Sequence, residues 1–282
     1  MSITLRRPSK DAPARILVPV DCESSSINAV RYAFKVAGKV PATIHFLHAF
    51  YSPAYDLAEL IGVSNIKHHL REEVLENIRL EEEKKFIDYI NEMVQPFLED
   101  NPSHSIIEHT LLLGAPDEVI LKFSKAYNPD VIIIGSKNSK DNGFNILGDM
   151  AEIIIKKAHV PVLAIPKEYN FKGIENIQEV VYVTQLDESD FLSIKKLMVL
   201  LNAFEVKIHC IHISSSTPSK SDQLKMDGLN DYFKNVYDKR KVKCSFITGK
   251  NNIQELDEYV LQNNIKLIAT TSRRKNLIFK LF

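Results

Sequence analysis

The chain has 282 residues, of which 45% are hydrophobic and 26% are charged, and its 36 basic side chains balance its 36 acidic ones. This composition is typical of soluble globular protein, and the chain is long enough for two domains. The basic cluster at residues 273–275 lacks the interleaved aromatic side chains of a nucleic-acid surface. No run approaches the roughly 18 apolar residues that span a bilayer, and residues 1–15 lack the apolar core of a signal peptide, so we expect a cytoplasmic protein without a membrane or nucleic-acid partner.

Strands and helices alternate along the first half of the chain. An apolar run ending at Val20 predicts a buried strand, and Asp21 stands where that strand turns into a helix. Ser24 or Ser25 is placed to cap this helix, whose apolar residues recur at helical spacing up to Gly38. The pattern then predicts a strand over 43–50, one amphipathic helix over about 65–99 that Pro96 kinks or ends, a strand over 105–113, a helix over 118–126, a strand over 131–134, a helix over 146–158 and a strand over 160–165. This order predicts a parallel sheet with right-handed crossovers.

The second half of the chain repeats the same order. Residues 179–184 repeat the first strand and residues 191–201 the first helix, which indicates a tandem duplication. The further copies are strands over 206–213, 242–248 and 265–270 and helices over 222–238 and 253–261. The alignment places Gln185 opposite Asp21 and Thr271 opposite Gly135, and the partner of Gly148 would fall beyond the last residue. We therefore expect a second copy without a phosphate loop, a last helix or a fifth strand, with domains over 1–166 and 179–282 and a linker over 167–178.

The three cysteines, Cys22, Cys210 and Cys244, are widely spaced and form no C-x-x-C pair. We expect reduced, buried thiols without a redox or metal role, because free cysteine is usually buried. His45 and His48 lie three residues apart on a predicted strand, which points them to opposite faces of the sheet, and no third metal ligand is near them in sequence.

Residues 130–166 contain a strand, a glycine-bearing polar loop, a helix and a second strand. This unit resembles the C-terminal half of a universal stress protein domain, whose nucleotide-binding members carry the motif G-x2-G-x9-G-[S/T]. Counted from Gly135, the second glycine falls at Asn138, the third at Gly148, and the final Ser or Thr at Asp149. The resemblance is stronger over 14–166 than over 177–282. It implies α/β architecture with two tandem Rossmann-like domains of the adenine nucleotide alpha hydrolase type, each an open parallel sheet of order 3-2-1-4-5.

The resemblance also implies an ATP site where the first and fourth strands end, since open parallel sheets bind ligands at that edge. Asp21 and the strand end near Ala49 would contact the adenosine part. The backbone at Gly135, and at the Asn138 and Gly148 positions, would contact phosphates. The complete set of candidate site residues is Val20, Asp21, Ala49, Ile134, Gly135, Asn138, Gly148, Asp149 and Met150.

Two departures from the motif predict weak binding. The Asn138 side chain takes up space meant for phosphate, and an Asp149 carboxylate about 4 Å from a phosphate would repel it by about 1 kcal/mol in water or about 4 kcal/mol at an effective dielectric of 20. Asp149 can instead cap the helix that follows it, or hold Mg²⁺ against the phosphate. Gly135 and Gly148 can be turn formers alone, and Asp21 can cap its own helix.

The sequence contains no nucleophile elbow, P-loop or dinucleotide fingerprint, so no catalytic residue is assigned. Our first hypothesis is a non-catalytic stress-response or signalling module with a degenerate nucleotide site and an unidentified protein partner. Its two copies would pair within the chain, or two chains would pair through residues 160–165 as a homodimer. The alternative hypothesis is an ATP-binding protein that requires Mg²⁺ and hydrolyses ATP slowly in the first domain.

Overall fold

The structure is a computed structural model that describes residues 13–51, 65–100, 105–136, 149–167, 178–201, 205–236, 242–250, 252–265 and 267–270. It contains two compact units. The first unit contains β1 (Ala14–Val20), α1 (Ile27–Ala37), β2 (Ala42–Phe50), α2 (Asn65–Asp100), β3 (Ser105–Leu113), α3 (Pro116–Tyr127), β4 (Val131–Ser136), α4 (Asp149–Lys157) and β5 (Val162–Pro166). The second unit contains β6 (Glu179–Val183), α5 (Glu188–Leu200), β7 (Lys207–Ser214), α6 (Lys220–Val236), β8 (Val242–Thr248), α7 (Asn252–Gln262) and β9 (Leu267–Thr270).

Each unit is a parallel sheet with helices, which confirms the predicted fold class. The first sheet has the order β3-β2-β1-β4-β5, and the four described strands of the second have the order β8-β7-β6-β9. Residues 168–177 and 271–282 lie outside the described residues, so the domain boundaries and the missing last helix and strand of the second copy stay predictions. Within the described residues, no helix combines the length and the apolar content needed to cross a membrane.

β1 is the central strand of the first sheet. It pairs with β2 along its whole length and with β4 on its other side, and its residues from Ile16 to Val20 are buried. A parallel strand covered on both faces is apolar throughout, which explains the uninterrupted run that the sequence shows there. α1 covers one face with Ala33 and Phe34, and the Phe34 ring lies 6.2 Å from that of Phe46. β1 therefore fixes the position of the turn that follows its carboxyl end.

In the second unit, strand residues alternate between two packed faces. Val181 and Val183 of β6 form a buried cluster with Ile211 of β7 and Leu256 of α7. Tyr182, between the two valines in sequence, points to the opposite face and is 1% exposed. Residues at the same register positions as Tyr182 on β7 and β8 share that face.

α2 forms over almost the predicted range. It runs to Asp100 and includes Pro96, so Pro96 does not end the helix, and the alternative that it kinks the helix stays a prediction. Proline removes one backbone hydrogen bond and does not by itself stop a helix that packing supports elsewhere. Phe86 and Tyr89, about two to three turns earlier, are both buried and anchor the helix to the sheet.

β4 also extends further than predicted, because Gly135 and Ser136 belong to the strand and Gly135 pairs with Ile165 of β5. Gly135 does not adopt a positive φ. A Cβ atom at this position would lie 2.4 Å from the carbonyl oxygen of Ser25 and 3.1 Å from the Cα atom of Ser26. The glycine is therefore required for close packing of β4 against the turn that follows β1.

Replacement of Gly135 by alanine is expected to lower the free energy of unfolding of the first unit by about 1–3 kcal/mol, because the added methyl group overlaps backbone that cannot rotate away. Urea denaturation monitored by circular dichroism measures the change. Gly228→Ala is the matched control, since Gly228 lies inside α6 with nothing within 4 Å of an added Cβ. The control should leave stability unchanged or raise it by up to about 1 kcal/mol. Equal effects of the two substitutions would contradict the packing role of Gly135.

Candidate functional site

The turn after β1 is organised around the exposed carboxylate of Asp21. This carboxylate accepts hydrogen bonds from the Ser25 hydroxyl, from the Ser26 hydroxyl at 2.5 Å and from the backbone N–H of Glu23 at 3.1 Å. The backbone N–H of Asp21 in turn donates to the Ser26 hydroxyl oxygen at 3.1 Å. Both carboxylate oxygens are thus used within the turn, and Asp21 serves as its brace.

The same hydrogen bonds correct the predicted helix cap. The residue before α1 is Ser26, not Ser24 or Ser25, and its side chain makes no capping hydrogen bond. Its hydroxyl is bonded to Asp21 instead, which accounts for the missing cap. Asp21 does not cap α1 either, because the hydrogen bonds that its carboxylate accepts come from residues that precede the helix.

Cys22 lies inside this turn with a left-handed backbone, at φ 56°. Burial raises the pKa of its thiol to about 12, and the negative charges of Asp21 and Glu82 contribute to the rise. The thiol is therefore protonated at neutral pH and is a poor nucleophile.

α2 lays Glu82 and Phe86 over the carboxyl ends of β1 and β2. His48, buried on β2, donates through Nδ1 to the Val20 carbonyl at 2.9 Å, and its Nε2 lies 3.3 Å from a Glu82 carboxylate oxygen. The rings of His48 and Phe86 are 5.4 Å apart. Burial acts to raise the pKa of Glu82, but hydrogen bonds from Lys85 and His48 outweigh it and lower that pKa. Glu82 is consequently an ionised, doubly paired carboxylate.

Tyr89 contributes the one buried side-chain polar atom without a hydrogen-bond partner among the described residues. The side chain is 7% exposed, and burial, followed by the charge of the nearby Asp21 carboxylate, raises the pKa of the phenol. The Ser26 side chain acts to lower this pKa, but the Tyr89 hydroxyl makes no hydrogen bond. The phenol O–H is thus an available donor beside the Asp21 turn.

The described part of the predicted nucleotide site lies at one edge of the first sheet. Val20 pairs with His48, so Ala49 lies one position further along β2, and Ile134 and Gly135 lie at the end of β4. Val20 and Ile134 are buried and Ala49 is half-buried. The Val20 carbonyl already accepts a hydrogen bond from His48. Gly135 packs closely against the turn after β1, and Ala49 is half-buried at the surface.

The remaining predicted residues belong to the segment between β4 and α4. Asn138 and Gly148 lie outside the described residues. Asp149 is the first residue of α4, and Met150 follows it half-buried. The prediction that Asp149 caps this helix or meets a phosphate is therefore untested and stays a prediction.

Sequence reasoning missed Ser25, Ser26 and Glu82 as partners at this edge, and it missed Tyr89 altogether. The spacing of Glu82, Phe86 and Tyr89 places them on one face of α2, but the pattern alone does not show which part of the sheet that face covers.

The second unit repeats the turn with its acid in another position. Leu186 has the left-handed backbone of Cys22, at φ 60°, and Gln185 replaces Asp21. The carboxylate is supplied by Asp190, which is fully buried. It accepts hydrogen bonds from the hydroxyls of Tyr182 at 2.7 Å and Thr184 at 2.6 Å, and from the backbone N–H groups of Gln185 and Asp187 at 3.1 Å each. The hydrogen bond from the Gln185 N–H to Asp190 corresponds to the one from the Asp21 N–H to Ser26 in the first unit.

A histidine contact is also repeated. His212 on β7 hydrogen-bonds through Nδ1 to the carbonyl of Thr184 at 3.0 Å, as His48 does to Val20. The two units therefore share the turn and the histidine that supports it, in agreement with the predicted duplication. Among the described residues, no group of three or more His, Cys, Asp or Glu side chains is arranged to hold a metal ion.

Solved structures with the same fold include universal stress proteins. One from Archaeoglobus fulgidus superimposes with a TM-score of 0.62 and 16% identity, covering 91% of this chain and 86% of that one. A putative universal stress protein from Pseudomonas aeruginosa gives a TM-score of 0.55 and 12% identity, covering 96% and 86%. At these identities the likeness concerns the fold alone.

Sequence comparison extends the likeness beyond the fold. A universal stress protein of Methanocaldococcus jannaschii is 23% identical over 154 residues, which cover 54% of this chain and 82% of that protein. The family model described as the universal stress protein family matches residues 14–166, which contain every described strand and helix of the first unit. Because this match takes in more than half of the chain, the chain belongs to the universal stress protein family.

Proposed function

We propose that this chain is a non-catalytic binding module of a stress response, with a weakened nucleotide site at the carboxyl edge of the first sheet. The observation that carries the proposal is the use of both Asp21 carboxylate oxygens inside the turn after β1. A nucleotide that needed this carboxylate would have to displace hydrogen bonds to charged oxygen, each of which contributes about 1.5–3 kcal/mol. Strong binding through Asp21 is therefore disfavoured.

The protonation states at this edge also favour binding over catalysis. General acids and bases are most effective when their pKa lies near the operating pH. Here the pKa of Cys22 is raised to about 12, that of Tyr89 is raised, and that of Glu82 is lowered, so each shifts away from neutrality. The described groups can donate or accept hydrogen bonds, but these three are poorly matched to proton transfer at neutral pH.

The Tyr89 hydroxyl supports a residual ligand contact at this edge. A buried donor without a partner costs about 1–3 kcal/mol, which an acceptor atom of a ligand or a water molecule would recover. Two solved family structures are described with cAMP and, in an Arabidopsis thaliana protein, with AMP bound. Those ligands belong to those proteins and only suggest which ligand class to test here.

We also propose how the chain assembles and where it is located. Among the described strands, β5 forms one edge of the first sheet, and an edge strand can pair with another chain, which supports pairing of two chains through residues 160–165. Intramolecular pairing of the two copies, an unidentified protein partner and a cytoplasmic location remain parts of the proposal that derive from the sequence.

Replacement of Asp21 by alanine is expected to lower the free energy of unfolding by about 1–3 kcal/mol, because two hydroxyls and one backbone N–H lose their acceptor. The exposed carboxylate of Asp88 on α2 provides a matched control, and Asp88→Ala should change stability by less than about 0.5 kcal/mol. Urea denaturation of both variants measures the difference. If Asp21→Ala were no less stable than the control, Asp21 would not be a structural brace.

The nucleotide site is tested by calorimetric titration of the purified chain with ATP, with and without Mg²⁺, at concentrations that detect dissociation constants up to about 1 mM. We expect no measurable binding in either condition. Asn138→Gly combined with Asp149→Ser should bring binding into the measurable range, because these changes restore the glycine and hydroxyl of the family motif and remove a charge.

The alternative hypothesis makes the opposite prediction for the same position. If Mg²⁺ bridges Asp149 to a phosphate, the unmodified chain binds ATP only with Mg²⁺ and Asp149→Ser weakens that binding. Asp149→Asn separates loss of charge from gain of a hydroxyl. Magnesium-dependent binding that Asp149→Ser abolishes would overturn the degenerate site and support an ATP-binding protein.

A further inference from the structure

Two cysteines that are distant in sequence occupy facing positions in the second sheet. Cys210 of β7 and Cys244 of β8 are register partners, and both side chains lie on the face that Tyr182 shares. Neighbouring strands are about 4.8 Å apart, which falls within the range of about 4.4–6.8 Å that Cα atoms of a disulfide require. All three cysteines are free thiols, but the strand register brings this pair together although it is widely spaced in sequence.

The two thiols of this pair differ in environment. Cys210 is fully buried, and its hydrogen bond with Cys244, together with burial, raises its pKa. The hydrogen bond from Cys210 lowers the pKa of Cys244; burial opposes this, and the Lys234 ammonium group supports it. Negative charge is thus more stable on Cys244 than on Cys210, and the thiolate is the nucleophilic form of cysteine.

Cys244 is also the member of the pair that small molecules can reach. It is half-buried and lines a cavity of about 500 Å³ with Lys207, His209, Lys234 and Lys243. Glu179 is the acidic side chain of this lining, and it is paired with Lys207 at 3.2 Å and with His209 at 2.7 Å. Lys234 lies 4.0 Å from Asp231, and its charge also acts on the Cys244 thiol, which favours a thiolate at this wall of the cavity.

We propose that Cys210 and Cys244 are an oxidisable dithiol that responds to peroxide, at a site separate from the proposed nucleotide site. The Cys244 thiolate attacks one oxygen of a hydroperoxide and breaks the O–O bond, giving a sulfenic acid and releasing hydroxide or alkoxide. The Cys210 sulfur then attacks the Cys244 sulfur, and water leaves with the Cys210 proton. The peroxide is reduced by two electrons, and the two thiols are oxidised to one disulfide.

Cys22 provides an internal comparison. Its thiol lies in the turn of the first unit, and its pKa is raised to about 12 by burial and neighbouring carboxylates. Thiolate content controls the rate of reaction with peroxides and alkylating agents, so Cys22 should react more slowly than Cys244 at neutral pH.

The test is treatment of the reduced full-length chain with stoichiometric hydrogen peroxide under native conditions. We expect the intact mass to fall by two hydrogen atoms, the number of titratable thiols to fall from three to one, and a peptide map to contain Cys210 joined to Cys244. Cys22→Ser should leave the mass change intact and Cys244→Ser should abolish it. Cys210→Ala, which keeps the core position apolar, should leave a sulfenic acid on Cys244 that dimedone traps.

Other outcomes overturn the proposal. Three unchanged thiols, a disulfide that includes Cys22, or a bond between two chains would each show that the facing pair is structural only. Lys234→Gln is the matched test of the cavity charge and should slow alkylation of Cys244 by iodoacetamide by several-fold at neutral pH. An unchanged rate would show that Lys234 does not stabilise the Cys244 thiolate. Slower alkylation of Cys244 than of Cys22 would overturn the assignment of Cys244 as the nucleophile.

Discussion

The turn between β1 and α1 constrains the entire carboxyl edge of the first sheet. β4 approaches it so closely that position 135 has no room for a side chain. The turn keeps its shape because the Asp21 carboxylate collects three donors, and Cys22 adopts a left-handed backbone that costs about 1–2 kcal/mol for a residue other than glycine. Hydrogen bonds to the carboxylate offset that cost. The groups that a ligand would meet here are consequently the groups that hold the fold.

The second unit meets the same constraint with a different distribution of charge. Its turn keeps the left-handed residue, now Leu186, but the carboxylate is Asp190, buried beneath the turn and fully hydrogen-bonded. Gln185 presents a neutral side chain at the position of Asp21. Burial of the acid removes a surface charge, and the Asp190 carboxylate accepts four hydrogen bonds. The duplication has therefore preserved the geometry of the turn while its surface chemistry has diverged.

Much of the fold could be predicted from sequence because apolar periodicity records burial directly. The strands β3 and β8 begin and end where the pattern predicts, and the βα alternation predicts a parallel sheet. The order of the first sheet is implied by the family resemblance, because alternation alone does not determine strand order. The pattern could not reveal why Gly135 is a glycine, since close packing and anion binding require the same residue. Contacts between distant segments were equally invisible: Tyr89 meets the Asp21 turn, and Cys210 faces Cys244, through tertiary packing and strand register that no local pattern encodes.

Asp21 is committed to its own turn, and we propose that the edge beside it binds nucleotide weakly or not at all. The most direct test is nuclear magnetic resonance of the ¹⁵N-labelled chain during titration with ATP and Mg²⁺, followed at the backbone amides of Asp21 and Glu23, both of which donate hydrogen bonds within the turn. We expect these two resonances not to move up to millimolar nucleotide. Saturable shifts of both amides would contradict this expectation and would show that a nucleotide displaces the hydrogen bonds of the turn.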